Sequence, residues 1–229
     1  GYLVAWPGMN ARAFLGPRIA ERPPGREWVM ATGVTALGGA LVLGAGNTLS
    51  AGGAPWLAPR VGMLGLILAA HFGAFHLLSC AWRAAGVVAP PIMRAPLAAT
   101  SLAEFWGARW NLAFVEIARR FIVAPLARRI GARGAGWIVF LFSGVVHETA
   151  ISLPARGGWG GPFAYFAIEA VGIAVERSAI GRRFGLGRGA RGWMWTVLVT
   201  ALPAPLLFHS HFLTRVVEPM LRAVANFLP

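Results

Sequence analysis

His147 and Glu148 stand side by side in the apolar run 137–153, Trp-Ile-Val-Phe-Leu-Phe-Ser-Gly-Val-Val-His-Glu-Thr-Ala-Ile-Ser-Leu. An ionisable pair at that depth of a membrane-length helix is costly unless it is partnered or lines a wet cavity, so it marks a functional site. At about 100° per residue, Gly136, Phe140, Ser143 and His147 share one face, with Glu148 and Ser152 about a quarter-turn away. Neutral imidazole is the form that accepts a proton, which suits a general base acting on a hydroxyl. The competing role is a hydrogen bond to a neighbouring helix, since polar groups also hold membrane helices together.

Composition removes several other chemistries. All 21 basic residues are Arg and all 8 acidic ones are Glu, so a Ser-His-Asp triad and a catalytic Lys are both excluded. Cys80 is alone, which leaves neither a disulfide framework nor a thiol metal cluster. Ile151 stands where a zinc-protease helix of the H-E-x-x-H kind needs its second His. His71 and His76 are five apart and His209 and His211 two apart, spacings poorly suited to shared ligation on a helix, so no metal is expected. Their expected role is interhelical hydrogen bonding or lining a polar entrance.

The elements that carry these residues belong to a membrane. Hydrophobic residues make up 57% of the 229-residue chain and charged ones 13%, about half the charged share of a water-soluble domain. Five segments, 28–49, 61–82, 136–153, 162–175 and 193–213, are candidates to span a bilayer core. The expected fold is therefore all-α, a polytopic membrane helix bundle of about five transmembrane helices in a single domain over 1–229. Arginines gather before the first span (Arg12, Arg18, Arg22, Arg26), between the second and third, and between the fourth and fifth (Arg177, Arg182, Arg183, Arg188, Arg191). Only Arg60 and Arg156 occupy the alternate loops, which predicts a cytoplasmic N-terminus. The net charge of +13 thus reads as topology and headgroup contact, with no nucleic acid as partner. Gly1 to Trp6 has neither the basic region nor the length of a signal peptide. Absent Lys and abundant Ala, Arg and Gly point to a GC-rich bacterial source and an inner-membrane location.

Between the second and third spans, 90–133 is too polar to span and too aromatic to be a linker, and is expected to be an amphipathic or re-entrant cytoplasmic helical segment. Ser101-Leu-Ala-Glu104 reads as a capping box that starts a helix, and Pro125 is expected to end or kink it. On that helix Arg109, Glu116 and Arg120 share a stripe, while Asn111 is a lone amide beside Glu104, Val115 and Ala118. No internal repeat is visible, which counts against a transporter built from related halves.

The run Ser101-Leu-Ala-Glu-Phe105-Trp106-Gly-Ala-Arg109-Trp110-Asn111, followed by Ser143-Gly-Val-Val-His147-Glu148, closely resembles the wax-synthase-like branch of the membrane-bound O-acyltransferases. Trp6-Pro-Gly-Met9 and Pro91-Ile-Met93 look like further landmarks of bacterial members, so the resemblance covers residues 6 to about 150 with a catalytic core about 90–155. It implies His147 as catalytic base and Asn111 as its partner, with Trp106, Arg109, Trp110, Ser143 and Glu148 as substrate-binding residues. It also implies acyl-CoA as co-substrate with no bound cofactor, and a lipophilic alcohol taken from the bilayer as acceptor. Upstream helices missing before Trp6 are expected as well. Within this resemblance the alternative is acetyl transfer to a glycan or secondary metabolite; outside it stand a transporter and a non-catalytic scaffold.

Overall fold

A computed structural model describes residues 6, 10–17 and 20–227. The landmark residues Pro7, Gly8 and Met9, the start Gly1 to Ala5, and Arg18 lie outside the described residues. The described residues form helices and no strand. They are α1 (Ala11–Leu15), α2 (Gly25–Ser50), α3 (Ala58–Ala84), α4 (Leu102–Glu104, widened into a π turn over Phe105–Arg109), α5 (Leu112–Ala155), α6 (Gly161–Arg177), α7 (Ala179–Phe184), α8 (Gly189–Leu207) and α9 (Ser210–Phe227). In lipid every backbone N–H and C=O must be satisfied within the chain, which is why segments as rich in Gly as α2 still form unbroken helix.

Among the described residues three helices are long and apolar enough to cross a membrane, α2, α3 and α5, or four if the broken pair α8 and α9 forms one span. This is fewer than the five expected. α6 has 17 residues, about 25 Å of helix against a hydrocarbon core of about 30 Å, and the fifth segment is interrupted at Phe208 and His209. Large apolar side chains such as Leu64, Phe142, Val145 and Val171 are exposed, as lipid-facing surfaces are. The chain is a membrane protein.

The expected single helix from Ser101 to Pro125 is two helices. Trp110 is extended and Asn111 adopts the left-handed conformation (φ 44°), which Asn tolerates better than most residues. Its Oδ1 then accepts the Phe114 N–H at 3.2 Å and starts α5 afresh, so Arg109 and Glu116 share no stripe. Pro125 neither ends nor kinks α5. A π turn at Arg119–Val123 precedes it and widens the backbone where the proline ring would meet the carbonyl of the preceding turn. The same arrangement recurs at Pro154, after the π turn Glu148–Ser152, and at Pro219, after Leu213–Val217. The break in α5 comes instead at Gly131, whose φ of 74° suits glycine alone.

The chain divides into two compact units, residues 1–93 with 213–229 and residues 94–212. In the first unit α2 and α3 meet at Gly38 and Gly65, where a Cβ on either would strike the backbone of the other helix. Away from that contact, where the start of α2 meets the C-terminal part of α3, Glu27, His76 and Cys80 converge, and Arg83 donates to the Glu27 carboxylate. The second unit holds the motif residues. Its core packs Ile151, Tyr165, Phe166 and Leu207 against Trp106, Phe140, Phe208 and Phe212.

Candidate active site

In the second unit α4, both arms of α5 and one face of α6 enclose a cavity of about 760 Å³. Volumes of this order are usual for small-molecule sites. Five of the seven residues expected at the site line it: Trp106, Trp110, Asn111, Ser143 and His147. Arg109 and Glu148 stand outside the lining and make other contacts.

The carbonyl of Ser143 lies 2.7 Å from His147 Nδ1. A carbonyl can only accept, so Nδ1 carries the proton and Nε2 is left with its lone pair. The imidazole packs on Phe166, with ring centroids 4.4 Å apart. Gly144, next along the motif, allows this approach of α6, since a Cβ there would lie 3.1 Å from Phe163 Cα. Glu148 points the other way and accepts the Phe163 backbone N–H at 3.2 Å, capping the start of α6. The consecutive pair therefore divides its work: His147 faces the cavity, while Glu148 holds the helix that packs against it. On the far side of α5, Ser152 Oγ lies 3.2 Å from His209 Nε2, and the Phe212 N–H donates to His209 Nδ1 at 3.1 Å. His209 thus serves as the interhelical hydrogen-bonding group expected of it.

α4 is held at both ends. Ser101 Oγ accepts the Glu104 N–H at 3.0 Å, as a capping box requires, but the Glu104 carboxylate reaches back one residue further, to the Thr100 N–H at 2.9 Å. Arg109 joins Glu104 through Nε at 2.7 Å and donates to the carbonyls of Arg94 and Ala95, stapling the preceding loop. The Thr100 N–H and the Arg109 guanidinium together hold the Glu104 carboxyl below the usual carboxylate range.

α6 supplies what the motifs did not reveal. Phe166, Ala170, Ile173, Ala174 and Arg177 face the cavity. Glu169 and Glu176, seven residues apart and so on one stripe, both reach α4: Glu169 Oε2 accepts the Trp106 indole N–H at 2.9 Å, and Glu176 Oε2 the Leu102 N–H at 2.6 Å. Gly172 lies between them and lets Leu102 close in. The signal was present in the sequence, as two of only 8 carboxylates at heptad spacing in an apolar run, but it does not say what they hold.

At one end of the cavity stand the exposed Arg119, Arg133 and Arg177. Along α5, Arg133 and His147 are separated by 14 residues, about 21 Å at 1.5 Å per residue. The cavity thus runs from a cationic mouth to a histidine within an aromatic body.

Residues 89–168 match the model of the membrane bound O-acyl transferase family. Three curated proteins of Arabidopsis thaliana are similar. The Probable long-chain-alcohol O-fatty-acyltransferase 7 is 30% identical over 131 residues, 52% of this chain and 38% of that protein. The Probable long-chain-alcohol O-fatty-acyltransferase 3 is 32% identical over 108 residues, 41% of this chain and 31% of the relative. Number 8 of the same series is 41% identical over 66 residues, 25% and 20% of the two lengths. The matches span under two fifths of these relatives' own lengths. No solved structure matches the chain.

Proposed function

We propose that this chain, whose residues 89–168 match the membrane bound O-acyl transferase family and which is similar to long-chain-alcohol O-fatty-acyltransferases, works as a wax-synthase-like member of that family and transfers an acyl group from acyl-CoA to the hydroxyl of a lipophilic alcohol. The observation that carries the proposal is the hydrogen bond from His147 Nδ1 to the Ser143 carbonyl, which presents Nε2 as a proton acceptor in a cavity with a cationic mouth.

Both substrates bind before chemistry. The acceptor oxygen attacks the thioester carbonyl as its proton passes to His147 Nε2, forming a C–O bond and a tetrahedral oxyanion. Collapse breaks the C–S bond, and the imidazolium returns the proton to the departing thiolate, so atoms and charges balance and no acyl-enzyme is needed. The capping bond on Asn111 Oδ1 fixes the orientation of its amide, whose Nδ2 is the donor for the oxyanion. Such a preorganised donor is worth about 3 kcal/mol in other acyl transfers. Trp106 and Trp110 shape the apolar walls for a lipid chain, which contributes about 0.8 kcal/mol per buried CH₂.

Arg119, Arg133 and Arg177 suit the phosphates of the CoA moiety, whose long arm carries the thioester inward toward His147. The arginines that flank the cavity in the sequence support a cytoplasmic side for this mouth, where acyl-CoA is found. The test is transfer from radiolabelled palmitoyl-CoA to a panel of long-chain alcohols by membranes containing the protein. Ester that forms with the wild type and is lost with His147→Ala supports the proposal. A wild type that uses acetyl-CoA alone would replace it with acetyl transfer.

A further inference from the structure

Glu169 is completely buried within α6, in contact with the cavity wall but not part of its lining. A buried carboxyl group is seldom kept for stability, since an apolar residue of similar volume often serves as well or better. One of its oxygens, Oε2, accepts the Trp106 indole N–H at 2.9 Å; the other, Oε1, is buried and receives no hydrogen bond. Tyr165, which packs edge-on against Phe166, gives its hydroxyl to the Thr200 carbonyl at 3.3 Å.

Trp106 is surrounded by rings: Phe105 at 5.0 Å, Phe166 at 5.8 Å, Phe140 at 5.9 Å and Trp110 at 6.3 Å between centroids. Ring contacts of this kind hold an indole in place but select weakly between its two flips. A single acceptor at Nε1 does select. Phe166 is the shared neighbour of Trp106 and His147, so the setting of the indole reaches the wall that faces the imidazole.

Building on the acyltransferase reading, we propose that Glu169 is a positioning residue that pins Trp106 in one orientation and thereby sets the pocket for the alcohol's hydrocarbon chain. Its partner on the same stripe, Glu176, bonds only backbone and anchors the start of α4, so the two carboxyls separate shape from attachment.

The experiment compares wild type, Glu169→Gln, Glu169→Leu, Trp106→Phe and the Glu169→Leu/Trp106→Phe double variant, each as the full chain purified in detergent. Photo-crosslinking of a diazirine-bearing hexadecanol, competed by unlabelled hexadecanol, reports acceptor binding without any turnover. Glu169→Leu is expected to raise the half-saturating concentration about tenfold, and Glu169→Gln, which keeps an acceptor for the indole, to restore it to within about twofold. The double variant binds no worse than Trp106→Phe alone, because the carboxyl acts through that ring. In the transfer assay KM for hexadecanol rises while kcat stays within about twofold. Half-saturation unchanged in Glu169→Leu, or a loss confined to the folded fraction with KM unchanged, overturns the inference. Wild-type protein that binds the probe yet transfers no acyl group counts against the acyltransferase reading and leaves the crosslinking result to judge Glu169.

Discussion

His147 Nδ1 and the Ser143 carbonyl oxygen are 2.7 Å apart, one turn from each other on α5. The backbone four residues earlier thus fixes the imidazole tautomer, and with it the nitrogen that can take a proton. Removing the ring by His147→Ala should lower kcat by at least about a hundredfold, the lower end for loss of a general base. The melting transition should survive, since the side chain is only partly buried. Retained turnover in a folded variant would sink the assignment.

Asn111 combines two properties that substitution can separate. Asn111→Gly keeps the left-handed backbone and loses the cap, at a cost of a few tenths of a kcal/mol, whereas Asn111→Ala loses the cap and strains the backbone, together about 2 kcal/mol. If the amide also serves the oxyanion, both variants lose about a hundredfold in kcat despite their different stabilities. Turnover that tracks the thermal midpoint instead assigns Asn111 to capping alone.

The arginine mouth predicts a substrate-specific defect. Arg133→Gln and Arg177→Gln should each raise KM for palmitoyl-CoA by about three- to tenfold, with kcat and KM for the alcohol little changed. The side chains are exposed, so the effect should shrink as salt rises. Equal KM values for palmitoyl-CoA in the wild type and both variants, at low and at high salt, would remove the CoA assignment.

Glu104 makes a pH prediction. Its folded pKa lies below the unfolded value of about 4.3, so its contribution to stability is present above that value and is lost as pH falls through the folded one. Thermal midpoints measured downward from pH 6 should fall below about pH 4 in the wild type, and less steeply in Glu104→Gln, which starts lower. Parallel curves for the two proteins would show that the Thr100 and Arg109 bonds contribute no acid sensitivity.

Much of the site was legible because its groups are rare in their surroundings. A His-Glu pair inside an apolar run and an S-x-x-E start are local signals, and Ser143, His147, Trp106, Trp110 and Asn111 do line one cavity. The roles of Arg109 and Glu148 were harder to read. A charge near a motif looks like a ligand-binding group until its partners are known, and theirs are the Arg94 and Ala95 carbonyls and the Phe163 N–H. The left-handed Asn111 and the passage of α5 through Pro125 escaped periodicity because both depend on local backbone choices that leave the pattern of apolar residues unchanged.

Composition and apolar run length were enough to make this a helical membrane protein, because hydrocarbon permits few other ways to satisfy a backbone. Residue identity was likewise enough to exclude a triad that needs Asp or a mechanism that needs Lys. Folding alone could join Glu169 to Trp106, 63 positions apart, and Glu176 to Leu102, 74 apart. Such pairings depend on which helix faces lie together and in what register, and packing across the whole unit settles that, whereas the local chain can say only that a carboxyl group in so apolar a helix must find a partner.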